Sequence, residues 1–239
     1  MDQGDATVPL EVKYVALVGE ATRRTLGDGR SLGKVEGLVV LAADYADREI
    51  GAWAARPDAP SGIACRAGCS ACCHGPIGVT VPEVIRVGRV LLDEATDADG
   101  LAVLDRARKA EAARVGRVGR DRERLRHPCP LLDEAGSCSI YEDRPLNCRS
   151  WSSFDASACN AYFDDPAWNS TIPVDAVRRT IGTAIADGMR GGLANLGMEH
   201  AHVELAVALR IFLEDPTAAD RWLDGERAFA AAEMAAPGG

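Results

Sequence analysis

Apolar residues at Val39, Ala42, Ala43, Ala46, Ile50 and Trp53 recur at the three-to-four spacing of one helical face. That pattern predicts an amphipathic helix over residues 34 to 55, stopped by Arg56-Pro57. Thr80-Val81-Pro82-Glu83 is a capping box with proline in the first turn, and it opens a second helix running to about Glu94. The segment from Asp93 to Gly100 closes that helix. A long charged helix follows over residues 101 to 126, weakened by Gly116 and Gly119. Helical spacing returns at Val177, Ile181, Ala184, Ile185 and Met189 (residues 174 to 190) and at Met198, His202, Leu205, Leu209 and Phe212 (residues 197 to 214). A last short helix runs from Ala218 to about Met234. Two stretches break the pattern: residues 57 to 79, and Pro128 to about Pro173, where Pro, Gly, Asp and Ser replace periodicity. There is no internal repeat and no strand-helix alternation. The expected fold is mainly α: a helical domain in which two irregular cysteine-rich loops close over a metal site. One domain spans 1–239, with its cysteine core at 60–165 between N-terminal helices (10–56) and C-terminal helices (174–235).

Composition narrows the class. The chain has 239 residues, of which 47% are hydrophobic, 26% charged and 5% aromatic. A chain this long buries roughly 70 to 75% of its unfolded surface and needs no disulfides to be stable. The balance excludes disorder, and abundant Ala, Leu, Arg and Glu favours helix over sheet. The net charge of -9 argues against a nucleic-acid binder. The opening MDQGDATVPLE lacks the basic-then-apolar order of an export signal, and the apolar run Leu38 to Ala43 is far shorter than the roughly 20 residues of a membrane span. These features predict a cytoplasmic protein with no membrane partner.

In a reducing compartment eight cysteines point to ligands or reactive groups more than to disulfides. Four fall in ACRAGCSACCHGP: Cys65, Cys69, Cys72 and Cys73. Cys69-x2-Cys72 has the spacing at which a turn presents two sulfurs to one metal, and Cys65 reaches the same centre through the Gly68 bend. Cys72 and Cys73 are neighbours, which in an extended segment point to opposite sides, so the pair suits two centres or two roles. Cys129, between two prolines, with Cys138, Cys148 and Cys159 completes the set. Eight thiols make two four-sulfur sites, or one site with thiols to spare. Buried cysteines acting as small hydrophobes are the plain alternative for any one of them. Spacing alone accepts either zinc or an iron-sulfur cluster, 4Fe-4S in particular; the Cys-x3-Cys-x2-Cys run and the proline beside Cys129 lean towards iron. The same run raises radical S-adenosylmethionine chemistry. Against it stand Ala71, where that group usually has an aromatic residue, and the helices that follow in place of barrel units.

CRAGCSACC and, about 55 residues on, HPCPLLDEAGSCSIYEDRPLNCRSW resemble the CxxCxxCC cysteine-cluster family of YkgJ-like zinc- or iron-chelating proteins over about residues 60 to 165. The resemblance implies metal ligation by Cys65, Cys69, Cys72, Cys73, Cys129, Cys138 and Cys148, with Cys159 an eighth candidate. The Cys-x3-Cys opening departs from the family's nominal Cys-x2-Cys. One longer branch resembles flagellin lysine N-methylases, but nothing in this chain maps to a methyl donor or lysine site. Two roles follow for the metal. It serves redox or enzymatic chemistry, or a structural zinc holds loops that contact a protein partner or chaperone a metal.

His74 and His127 flank the cysteines as candidate ligands or proton carriers; His202 falls on an apolar stripe and reads as a core histidine, and His200 as an exposed one. From Asp105 to Arg126 the chain carries nine Lys or Arg against four acids. That run is either a solvated helix face or a dock for a protein partner or small anionic substrate. Arg144 and Arg149, beside the ligand loop, are placed to offset thiolate charge.

Overall fold

The computed structural model describes residues 9–66, 68–94, 97–215 and 217–234. Among these residues the chain is mainly helical. The helices are α1 (Leu10–Gly27), α2 (Leu32–Ala54), α3 (Val81–Glu94), α4 (Asp97–Arg114), α5 (Gly119–Glu123), α6 (Leu146–Ser150), α7 (Ala156–Asp164), α8 (Ala176–Asn195), α9 (Leu205–Glu214) and α10 (Ala218–Leu223). A two-residue antiparallel ladder joins β1 (Gly78–Val79) to β2 (Val203–Glu204), with Gly78 opposite Glu204.

Helix α8 is the central element, packed by α1, α2 and α6. Its glycines set how closely they approach. A Cβ on Gly192 would lie 2.6 Å from the Gly19 carbonyl oxygen, and one on Gly188 2.8 Å from that of Val15, so α1 and α8 meet backbone to backbone. Farther along, a Cβ on Gly182 would lie 3.0 Å from the Leu146 carbonyl oxygen, which lets the short α6 seat directly on α8. The core between the helices holds Ile85, Ile185, Met189, Leu209, Trp222 and Phe229, each essentially without solvent contact. On its other side α3 accepts the Phe212 ring over Gly88.

Caps fix where the helices begin. The predicted capping box at α3 is present: Glu83 N–H donates to Thr80 Oγ1 at 3.4 Å, and Glu83 Oε2 accepts from Thr80 N–H at 2.7 Å. Asp175 Oδ1 accepts from Val177 and Arg178 N–H at the start of α8. The same carboxylate accepts from Trp53 Nε1, tying the end of α2 to the start of α8.

Three expected helices end or begin elsewhere. The helix expected over 101 to 126 starts at Asp97, stops at Arg114 and resumes only for Gly119–Glu123. Gly116 has φ +74° and Gly119 φ +50°, left-handed backbone that ends a helix. The segment expected to separate it from α3 is correspondingly shorter, and its residues 95 and 96 lie outside the described residues. The helix expected over 197 to 214 starts only at Leu205; Met198 and His202 precede it, in a loop and beside β2. The last helix stops at Leu223, and a 3-10 turn follows at Ala230–Ala232.

Gly192→Ala is expected to destabilise the protein by about 1–3 kcal/mol, because the added methyl meets backbone that cannot rotate aside. Gly191→Ala meets nothing within 4 Å and is expected to be neutral or stabilising. Urea unfolding midpoints of the two variants check the contrast.

Candidate metal centre

The first cysteine segment is irregular, yet hydrogen bonds fix it at both ends. Ala64 N–H donates to the Ser153 carbonyl at 2.8 Å. Cys69 N–H closes a turn onto Arg66 O, and residues Ala71–His74 wind into a 3-10 turn in which Cys73 N–H donates to Ser70 O. The second segment runs antiparallel beside the first: His127 N–H donates to His74 O at 2.9 Å and Cys129 N–H to Cys73 O at 2.7 Å. From Cys129 the chain turns into a small hairpin, in which Ser139 N–H donates to Leu131 O and Leu132 bridges Cys138. Cys148 lies in α6 and Cys159 in α7.

Three buried polar groups hold this assembly. Glu83, the cap of α3, also accepts the Leu146 N–H at 2.7 Å through Oε1, so one carboxylate fixes the starts of both α3 and the Cys148 helix. Ser153 N–H donates to Cys65 Sγ at 3.3 Å. Arg114, 2% exposed, donates to the carbonyls of His74 (3.2 Å) and His127 (3.4 Å) and pairs with Glu204 at 3.5 Å. Glu204 also pairs with Arg122. Nothing in the sequence marks Arg114 or Ser153 for these tasks: one stands in an arginine-rich run, the other among serines.

All eight cysteines are free thiols; Cys159 is buried, Cys65 and Cys72 reach the surface, and the rest are half-buried. The expectation of opposite sides for Cys72 and Cys73 assumed an extended segment, whereas the pair sits in the 3-10 turn Ala71–His74. Burial pushes the Cys129 thiol up to about 12 and Cys148 well above the ordinary thiol range, and it raises Cys65, Cys138 and Cys159 as well. Cys72 is raised first by its hydrogen bond to Cys73, then by burial. Opposing these shifts, the backbone at Leu131 and Ile140 lowers Cys129 and Cys138, and Ser153 N–H donates to Cys65 Sγ at 3.3 Å.

The two arginines expected beside the thiols part company. Arg144 stabilises the thiolates of Cys72 and Cys138 while stacking on the Tyr141 ring. Arg149 turns away to Asp47 at 2.6 Å and to the carbonyls of Arg144 and Glu142. The basic run of 105 to 126 is largely engaged within the fold. Arg106 donates to Pro130 O, Arg124 to the carbonyls of Tyr162, Asp165 and Trp168, and Arg126 pairs with Asp164.

Of the histidines, His74 turns Nδ1 to Ser70 O at 2.8 Å, leaving Nε2 towards other partners, and His127 Nδ1 meets Pro128 O. His200 Nδ1 meets Met198 O. His202, expected on a helical core stripe, instead lies in the loop before β2 with Nε2 3.6 Å from Asp187. The donor set suits a thiophilic ion or cluster, since it is thiolate-rich and already supplied with N–H groups for charged sulfur. Among the described residues no three His, Cys, Asp or Glu side chains stand together as a preformed ion site.

Residues 64–164, which contain all eight cysteines, match the model of the CxxCxxCC family, described as a "putative zinc- or iron-chelating domain". No curated protein and no solved structure matches the chain.

Arg114→Met frees two buried carbonyls and leaves Glu204 with Arg122 alone, and is expected to cost about 2–3 kcal/mol in urea unfolding. Arg122→Met, whose partner keeps Arg114, costs clearly less. The thiols give the metal-free protein a pH signature. Unfolded cysteine ionises near about pH 8.5, whereas Cys129 stays protonated to about 12. Between those values the unfolded state binds fewer protons, so stability is complete below about pH 8.5 and falls as pH rises. Thermal midpoints across that range check it, and Cys148→Ala is expected to flatten the decline.

Proposed function

We propose that the cysteine core binds zinc or iron through thiolates from Cys65, Cys69, Cys72, Cys73, Cys129, Cys138, Cys148 and Cys159, with an iron-sulfur cluster of the 4Fe-4S type favoured over zinc and a redox or metal-dependent role following from it. The observation that carries this reading is the N–H supply. Ser153 N–H donates to Cys65 Sγ at 3.3 Å, in a fold where Cys129 N–H pins the second cysteine segment to Cys73 O at 2.7 Å. A buried neutral thiol gains little from such donors; a charged sulfur gains much, and the same donors set the potential of a cluster.

The chain's own residues prepare the site in three ways. Burial keeps Cys129 and Cys148 protonated until a ligand replaces the proton, so binding and proton release are coupled. Arg144 and Arg114 supply positive charge towards Cys72, Cys138 and Cys129. The Cys73–Cys129 backbone bond keeps the two segments in register before any ligand arrives. A bound cluster would supply one-electron transfer; a bound zinc would supply closure of the loops alone.

Anaerobic purification followed by iron, sulfide and zinc analysis is the deciding measurement. A brown protein with iron and acid-labile sulfide is expected. Colourless protein with stoichiometric zinc would replace the redox reading with the structural one, and protein that takes up neither metal after reconstitution would remove both. Loading the metal-free protein in weak buffer is expected to release protons, and apparent affinity is expected to rise with pH as thiols deprotonate.

A further inference from the structure

We infer that the protein pairs with a second copy of itself, as a two-fold dimer, through the outer face of α1 and the adjoining flank of α2. The inference is independent of the metal-binding reading, since no cysteine lies on either helix.

Helix α1 carries more apolar surface than its packing uses. Tyr14, Val18, Thr22 and Leu26 form the stripe buried in the core. A second stripe, Leu10, Lys13, Leu17, Glu20 and Arg24, repeats at three- and four-residue spacing and is exposed along its whole length. Leu10 is 45% exposed and Leu17 52%. The neighbouring helix extends this surface. Tyr45 of α2 packs edge-on against Tyr14 with ring centroids 5.6 Å apart, and Leu41, one turn before Tyr45, is 68% exposed. Leucines of two adjacent helices thus flank one face that the described residues leave uncovered.

The charges on the stripe select the occupant. Lys13 and Glu20 stand equally far on either side of the midpoint between Ala16 and Leu17. When a second α1 lies antiparallel across the first about that midpoint, Lys13 meets the partner's Glu20 and Glu20 meets the partner's Lys13. One sequence then supplies both halves of two identical ion pairs, as a two-fold axis requires. Leu17 packs at the centre against the partner's Leu17, and Leu10 lies along the aliphatic stem of the partner's Arg24. Parallel pairing would instead set lysine against lysine and glutamate against glutamate. Both charges are available. Lys13 lies over the Tyr14 ring at 5.6 Å with no carboxylate partner among the described residues, and the Glu20–Arg23 pair is half-exposed. With α2 alongside, the contact is a four-helix packing about 27 Å long, built on the 18 residues of α1.

Sedimentation velocity of the full chain under reducing conditions, from about 1 to 100 µM, tests this. The wild-type chain is expected to move from 25.3 kDa towards twice that mass as concentration rises. Lys13→Glu and Glu20→Lys are each expected to weaken association about tenfold or more, because each turns two attractive pairs into two repulsive ones. Combining both reversals in one chain is expected to restore the dimer, and mixing the two single variants is expected to give a mixed dimer. Leu17→Glu is expected to leave monomer only. All three positions are exposed, so unchanged thermal midpoints separate lost association from lost folding. A wild-type chain that stays monomeric at about 100 µM overturns the inference. So does a dimer that the single reversals and Leu17→Glu leave intact, or one that they break without rescue on combining or mixing.

Discussion

The buried guanidinium of Arg114 is the contact on which the arrangement of the cysteine core depends. A charge so enclosed needs partners, because leaving it or its counter-ion alone costs several kcal/mol; among the described residues its Nε has none, and the other contacts carry it. Its partners lie on separate stretches of chain. They are Glu204 on β2, the carbonyl of His74 next to the vicinal cysteines, the carbonyl of His127 next to Cys129, and the Ala110 carbonyl on its own helix. Satisfying one cation thus brings the end of α4, the short ladder and both cysteine segments to one point. The ladder is only two residues long and could not hold that junction by its own hydrogen bonds. Charge satisfaction and backbone pairing reinforce each other there.

Where sequence and structure agree, the signal was local. The α2 stripe, the Thr80–Glu83 box and the α8 stripe each rest on residues within a turn or two of one another, and each is found where the pattern places it. Where they differ, the deciding contact is distant. Met198 and His202 continue the spacing of α9, but the pairing of Val203 with Val79 draws that stretch out of helix, and Met198 N–H caps the end of α8 by bonding Leu193 O. The break after Arg114 was visible as two glycines, but not its strength: with Arg114 committed to four partners, the helix cannot continue along its axis without taking the junction with it. Helix α1 went unseparated within the expected N-terminal helices, although Tyr14, Val18, Thr22 and Leu26 lie buried at one-turn spacing along it; what spacing does not show is how closely Gly188 and Gly192 let it approach α8.

The cysteine core was legible as chemistry and not as geometry. Spacing and residue type marked the cysteines as candidates, and the two segments that carry them pair through Cys73 and Cys129. The orientation of Cys72 and Cys73 was misjudged because the local backbone is a 3-10 turn, whose neighbouring side chains diverge far less than those of a strand. The supporting residues were hidden for a different reason. Arg114, Glu83 and Ser153 act through backbone atoms of other segments, and such partners leave no trace in spacing.

Electrostatics limits how many of these thiols can ionise together. Arg144, Arg114 and Arg178 are the cations that act on them, against eight sulfurs that would each carry a charge if ionised. Three positive groups cannot balance that number in a half-buried site, and burial holds Cys129 and Cys148 in the protonated form. In the proposed metal-binding reading, a cation of two or more charges would replace protons and draw several sulfurs to itself, and the Ser153 N–H that donates to Cys65 would be worth more to a charged sulfur than to a thiol.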